Sequence, residues 1–221
     1  MANRPVVVRV ANCASVSTGP RRAAGVFRAA LTRPGRLGFP RIVLACEAAD
    51  FDATLEAEKV GWEAAQFTEN AADAGSAVAW NPEHAALIGS PRLLPGTPAG
   101  EGIRARSLVQ VKLEVSGHRQ RFSAGHAPPD RAPHGQQAYL DQLRAYRGVI
   151  GLDSNRWPGE VSAGGYHRNY LGVSLLGMFV PSWIPTSEPK RVDLVQGETY
   201  DDHPAVDVML WADNRRSIPL P

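Results

Sequence analysis

Val149-Ile150-Gly151-Leu152-Asp153-Ser154-Asn155 is an apolar run that stops abruptly at an Asp-x-Asn pair. A run this short, rich in β-branched residues, predicts a buried strand with the polar pair at its carboxyl end. Alternate residues leaving a strand point the same way, so Asp153 and Asn155 can act on one small volume. The pattern recurs along the chain. Val6 to Val10 delivers Asn12, Arg41 to Cys46 delivers Glu47, and Arg119 to Ala124 runs into His126. Asp193 sits in Arg191-Val-Asp-Leu-Val195, and Asp202-His203 lies in the turn before Ala205 to Trp211. Amides, carboxylates and imidazoles gathered at strand ends imply a metal-assisted phosphate site.

Between these stations, residues 21–31 read as a short helix, and residues 52–60 as another, with Asp50 or Asp52 as cap and Gly61 as stop. Residues 75–80 read as a strand closed by Asn81-Pro82, and the proline and glycine cluster from 91 to 102 as an exposed loop. From 107 to 115 apolar Val109, Val111, Leu113 and Val115 alternate with Leu108, Gln110, Lys112 and Glu114. That is one strand of a hairpin turning at Ser116-Gly117. Residues 139–146 carry helix-forming residues closed by Gly148, and the stretch from 156 to 189 reads as irregular around one apolar run at 171–180. Many strands with few helices argue for two packed sheets flanked by helices.

The 221 residues, 43% of them hydrophobic, suffice for one sizeable core, and no shift in composition marks a second domain, so 1–221 reads as a single unit. No apolar run approaches the ~18 residues of a membrane span, and the start of the chain is too soon interrupted for a signal peptide, which implies a cytoplasmic protein. Cys13 and Cys46 lie in apolar strand ends and read as small, buried, reduced residues. A net charge of +2 hides an asymmetry: eight arginines and no acidic residue precede Glu47. Arg21, Arg22 and Arg28 belong to this basic segment, which can attract phosphates irrespective of base sequence. Its plain alternative is a solvated, arginine-rich surface.

Attack on a phosphate ester requires neutralised non-bridging oxygens, an activated water and a stabilised leaving oxygen. Mg²⁺ takes one or two carboxylates and keeps waters, so Glu47 and Asp202 suffice as ligands. Asp153 can then polarise water while Asn155 donates to a phosphate oxygen, and Asp193 can hold the tautomer of His203. Singly each motif is weak: Asp-x-Asn is commonly a turn, Asp193 a surface partner of Arg191, and Tyr166, Trp157 and Trp183 read first as packing residues.

Taken in order, Val-Ala-Asn12, Ala-Cys-Glu47, Ala-Gly-His126-Ala-Pro-Pro, Gly151-Leu-Asp153-Ser-Asn155, Arg191-Val-Asp193-Leu-Val and Asp202-His203-Pro-Ala-Val resemble the endonuclease/exonuclease/phosphatase superfamily across nearly the whole chain. The resemblance implies a DNase I-like α/β fold, a four-layer α-β-β-α sandwich of two mostly antiparallel mixed sheets. It also implies Mg²⁺ or Mn²⁺, with Glu47 as principal ligand and Asn12 and Asp202 in support. By the same resemblance Asp153 polarises the attacking water, Asn155 and His126 hold the phosphate, and His203, oriented by Asp193, completes the set. Ala14 stands where many relatives carry a second-metal ligand, Ser154 replaces an aromatic, and Gly125 replaces Thr. The leading expectation is a nuclease, endo- or exonucleolytic, acting on nucleic acid, DNA before RNA. The alternatives are a phosphatase or phosphodiesterase for a small or lipid phosphate, and a catalytically silent binding member of the fold.

Overall fold

Valine-rich β1 (Val6–Asn12) is buried on both faces and stands at the centre of the first sheet. The computed structural model describes residues 5–13, 19–67, 75–97, 106–129, 133–161, 167–194 and 204–211, to which every structural statement below applies. β1 runs parallel to β2 (Ile42–Cys46), with Asn12 opposite Cys46. Antiparallel partners complete the sheet: β13 (Ala205–Leu210) and β12 (Lys190–Val192) beyond β1, β4 (Ser76–Trp80) and β3 (Glu63–Phe67) beyond β2.

The second sheet repeats this plan around another parallel pair, β8 (His118–His126) and β9 (Val149–Asp153), with His126 opposite Asp153. β11 (Leu176–Pro181) and β10 (His167–Gly172) extend it on the β9 side. β7 (Arg106–Val115), paired with both β5 (Ala85–Leu87) and β6 (Arg92–Thr97), extends it on the β8 side. Alternation along each strand sends one set of side chains between the sheets. Val6, Val8 and Val10 meet Ile42, Leu44, Val109, Val111, Leu113, Val149 and Met178 in that central core.

The outer faces are covered by helices. Ala23, Phe27, Ala30 and Leu31 of α1 (Pro20–Thr32) and Ala53 and Ala57 of α2 (Ala53–Glu58) pack over Ala11, Val43, Ala45 and Ala79. Asp52 caps α2, its side chain accepting from Leu55 N at 3.0 Å. Tyr139, Leu140 and Leu143 of α3 (Pro133–Leu143) cover Leu108, Ile150, Leu152 and Phe179 of the second sheet. Two helix layers enclose two sheet layers, as the sequence pattern implies.

One charged residue breaks the apolar rule in β1. Arg9 is fully buried, donating to Asp207 Oδ1 and Oδ2 at 2.7 and 2.8 Å and to Ala30 O and Arg33 O at 2.8 Å, which closes the carboxyl end of α1. Burial pushes the Asp207 carboxyl above its ordinary range and Arg9 pulls it back. A Cβ on Gly35 would collide with Asp207 Oδ2, so only glycine fits against the pair.

Several elements differ from expectation. Residues 92–97 are a strand, not loop: β6 pairs with β7, and a register irregularity between Leu94 and Thr97 accommodates Pro95, which has no N–H to donate. The stretch from 156 to 189 is more ordered than its glycines imply, because β10 and β11 form an antiparallel pair that hydrogen-bonds onto β9. α3 begins at Pro133 and ends at Leu143, earlier than the 139–146 reading, with 144–146 in a turn.

The two sheets touch closely beneath the edge that carries the polar strand ends. Cys46 Sγ lies 2.9 Å from Gly125 O on the other sheet. Burial pushes the Cys46 thiol well above its ordinary range, so the S–H is kept and donates. A Cβ on Gly151 would sit 2.5 Å from Leu44 Cβ. Gly151→Ala is therefore expected to push β9 away from β2, lowering stability by about 1–3 kcal/mol in urea unfolding, with the slope of the transition unchanged.

Candidate active site

Two parallel strand pairs, one per sheet, end at the same edge of the sandwich, and five polar side chains meet there. Asn12 is the last residue of β1, Glu47 follows β2, His126 ends β8, Asp153 ends β9, and Asn155 lies two residues on. The Asp153 side chain is fully buried. Both of its oxygens are held: Asn12 Nδ2 donates to Oδ2 at 2.7 Å, and the backbone N–H of Asn155 donates to Oδ1 at 3.1 Å. Asn155 Nδ2 donates to Ala127 O at 2.7 Å and lies 3.0 Å from His126 Nε2. Asp153 Oδ2 is 3.8 Å from that same imidazole nitrogen.

The far side of His126 is occupied by a residue that the sequence pattern does not single out. Arg106, buried at the start of β7, places Nη1 3.2 Å from His126 Nδ1, and Glu47 Oε1 lies 3.4 Å from the same atom. Each ring nitrogen thus meets one donor and one carboxylate: Arg106 and Glu47 at Nδ1, Asn155 and Asp153 at Nε2. A cation this close also argues against His126 as a metal ligand. The antiparallel register of β7 with β8, which sets Val109 opposite Ala124, brings Arg106 beside His126 from twenty residues upstream. Its only sequence signal is an arginine at the mouth of an apolar strand.

Backbone strain is concentrated here. Among the described residues three non-glycine positions have positive φ: Glu47 at 50°, Asn155 at 50° and Ser116 at 52°. Ser116 serves the β7–β8 hairpin turn, whereas the other two belong to the site. Asparagine tolerates this region more readily than glutamate, so Glu47 is held against its preference by its surroundings. Its carboxylate is 16% exposed. The Glu47 and Asp153 charges also reach the buried thiols behind them: burial first, then Glu47, raises Cys13, and burial first, then Asp153, raises Cys46.

The donor chemistry fits a hard, hydrated cation. Glu47, Asn12 and Asp153 offer oxygen, whereas both thiols are buried and protonated. Among the described residues no group of three or more His, Cys, Asp or Glu is arranged to enclose an ion. A zinc cage would need such a group; Mg²⁺ or Mn²⁺, keeping most of its waters, would not.

The remaining candidates sit differently. Asp193 follows β12 with its side chain 70% exposed, accepting from Arg191 Nε at 2.9 Å, the surface pairing its sequence position also permits. Asp202, His203 and Ala14 lie outside the described residues, and with them the Asp193–His203 pairing.

No sequence family and no curated protein matches the chain. Its architecture does match solved structures. An endonuclease/exonuclease/phosphatase from Bacteroides vulgatus superposes with a TM-score of 0.66 at 10% identity, over 95% of this chain and 100% of that one. The fold is that of the endonuclease/exonuclease/phosphatase superfamily. The human Nocturnin catalytic domain shares this fold with a TM-score of 0.64 at 13% identity, over 94% and 93% of the two chains. TDP2 from D. rerio, solved with a single-strand DNA product, gives 0.62 at 11%, over 96% and 100%. The DNase I-like expectation from the polar stations is thereby met at the level of fold.

Asn12 acts in this edge as a neutral donor to a buried carboxylate. Asn12→Asp would set two carboxylates about 3 Å apart, so stability at pH 7 is expected to fall. Because the paired acids share a proton in the folded state only, the loss should shrink on acidification toward pH 5, read by unfolding midpoints at both values.

Proposed function

We propose that the chain is a divalent-metal-dependent phosphodiester hydrolase of the cytoplasm that acts on nucleic acid, DNA in preference to RNA. The observation that carries this reading is the convergence of Asn12, Glu47, His126, Asp153 and Asn155 from four strand ends on two sheets. The endonuclease/exonuclease/phosphatase from Bacteroides vulgatus supports phosphoester chemistry for this fold, and the TDP2 complex with a single-strand DNA product supports a DNA substrate.

Glu47 and Asn12, joined by Asp202, would hold Mg²⁺ or Mn²⁺, which when bound neutralises charge on the phosphate oxygens and the leaving group. Asp153 accepts the proton-bearing edge of a water and aims it at phosphorus. Its two oxygens already take bonds from Asn12 and Asn155, so its orientation is fixed before substrate arrives. As the water oxygen bonds to phosphorus and the ester P–O bond breaks, the His126 imidazole and the Asn155 amide hold the phosphate oxygens. Arg106 braces that imidazole from its other side. His203, oriented by Asp193, would serve the phosphate and the leaving oxygen.

Arg21 and Arg22 lie exposed in the first turn of α1, a few residues beyond Asn12, and extend a positive field from the edge of the site. Arg28 is already paired with Glu56.

Two outcomes follow. Glu47→Gln and Asp153→Asn should each lower the turnover of a labelled DNA oligonucleotide with Mg²⁺ by about 10²- to 10⁴-fold while circular dichroism stays native. Unchanged turnover in both variants would reject the reading, and phosphate release from soluble monoesters without oligonucleotide cleavage would transfer it to a small substrate. Arg21→Gln with Arg22→Gln should flatten the salt dependence of DNA binding, by about 0.7 to 0.9 in log-log slope for each phosphate no longer neutralised, whereas Arg28→Gln should leave it unchanged.

A further inference from the structure

Two side chains immediately beyond Asn155 take no part in this machinery. Trp157 is 55% exposed, while Trp62 and Trp80 are buried and Trp183 and Trp211 half-buried, so among the chain's tryptophans it alone stands open to solvent. Arg156, just before it, donates through Nε and Nη1 to Oε1 of Gln136 and Gln137, at 2.5 and 3.0 Å. Both acceptors are neutral, and among the described residues no carboxylate pairs with Arg156. Its charge is therefore positioned without being compensated.

The segment that presents them is braced. Gln136 Nε2 donates to Ser154 O and Asn155 O at 3.2 and 3.3 Å, and the Ser154 hydroxyl donates to Leu175 O at 2.9 Å. The Trp157 N–H donates to Glu160 Oε2 at 3.1 Å, and Pro158 holds Trp157 in the extended region. A large apolar ring on a fixed loop, beside a fixed and uncompensated cation, two residues from a phosphate-binding asparagine, has the chemistry that complements a nucleotide: a flat aromatic base attached to a phosphate.

We infer that Arg156 and Trp157 form a nucleotide subsite next to the scissile phosphate, the indole stacking on the base of an unpaired nucleotide and the guanidinium meeting the adjoining phosphate. The inference rests on the phosphodiesterase reading and adds a specificity to it. A base must show its π-face to stack, so the subsite selects single strands and frayed ends over closed duplex.

The test uses the full chain. With the protein in EDTA, single-stranded oligothymidylate is titrated while intrinsic tryptophan fluorescence and the anisotropy of a labelled oligonucleotide are followed. Wild type should show quenching; Trp157→Ala should bind about 5- to 100-fold more weakly, and Trp157→Phe should keep most of the affinity. Arg156→Gln should reduce the salt slope by about 0.7. An oligonucleotide of abasic sites should bind wild type more weakly and Trp157→Ala with no further loss. Equal affinity of wild type and Trp157→Ala for both ligands would overturn the subsite. Cleavage with Mg²⁺ separates the two failures. If wild type and Trp157→Ala cleave with equal kcat/KM on base-bearing and abasic strands, the subsite falls and the hydrolase stands; if wild type cleaves neither, both fall.

Discussion

The close approach of the two sheets beneath one edge is the constraint on which the site depends. The Cys46 thiol reaches across to the Gly125 carbonyl, and Gly151 admits Leu44 where any Cβ would collide. Glu47 directly follows Cys46, His126 directly follows Gly125, and Asp153 lies two residues beyond Gly151 on the same strand. Each of these side chains is thus one or two residues from a contact that fixes the separation of its sheet from the other. A looser interface would leave the same residues at the same edge but too far apart for Asn12 to reach Asp153.

Parallel pairing does the rest. Both sheets are largely antiparallel, yet each contains one parallel pair, β1 with β2 and β8 with β9, and parallel strands place their carboxyl ends together. The register sets Asn12 beside Cys46 and His126 beside Asp153, so four polar groups share one edge without a long loop to hold them. The positive φ of Glu47 and Asn155 then turns the chain sharply as it leaves β2 and β9. Packing supplies the energy that holds these two residues in an unfavourable region, and the core that does so is the apolar layer between the sheets.

Much of this is legible in the sequence. β1, β2, β4, β7 and β8 announce themselves through β-branched alternation or apolar runs, and the polar residues that close β1, β2, β8 and β9 are the ones that converge at the shared edge. β3 is not legible, because Glu63–Phe67 contains little β-forming character and owes its extension to pairing with β4 at the sheet edge. β6 is hidden by Pro95-Gly96, which a bulge absorbs, and β10 and β11 by glycines that a hairpin against β9 accommodates. Arg106 cannot be found from spacing, since only the register of β7 against β8 brings it to His126. For Trp157 the sequence favours packing; its exposure is a tertiary fact that no local pattern encodes.

The account is tested most directly by locating a bound ion. Crystals grown with Mn²⁺ should show one anomalous peak within about 2.2 Å of a Glu47 carboxylate oxygen, with Asn12 and Asp153 lining the same cavity and water completing the coordination. An ion bound elsewhere on the molecule, or Glu47 and Asp153 on separate surfaces, would contradict it.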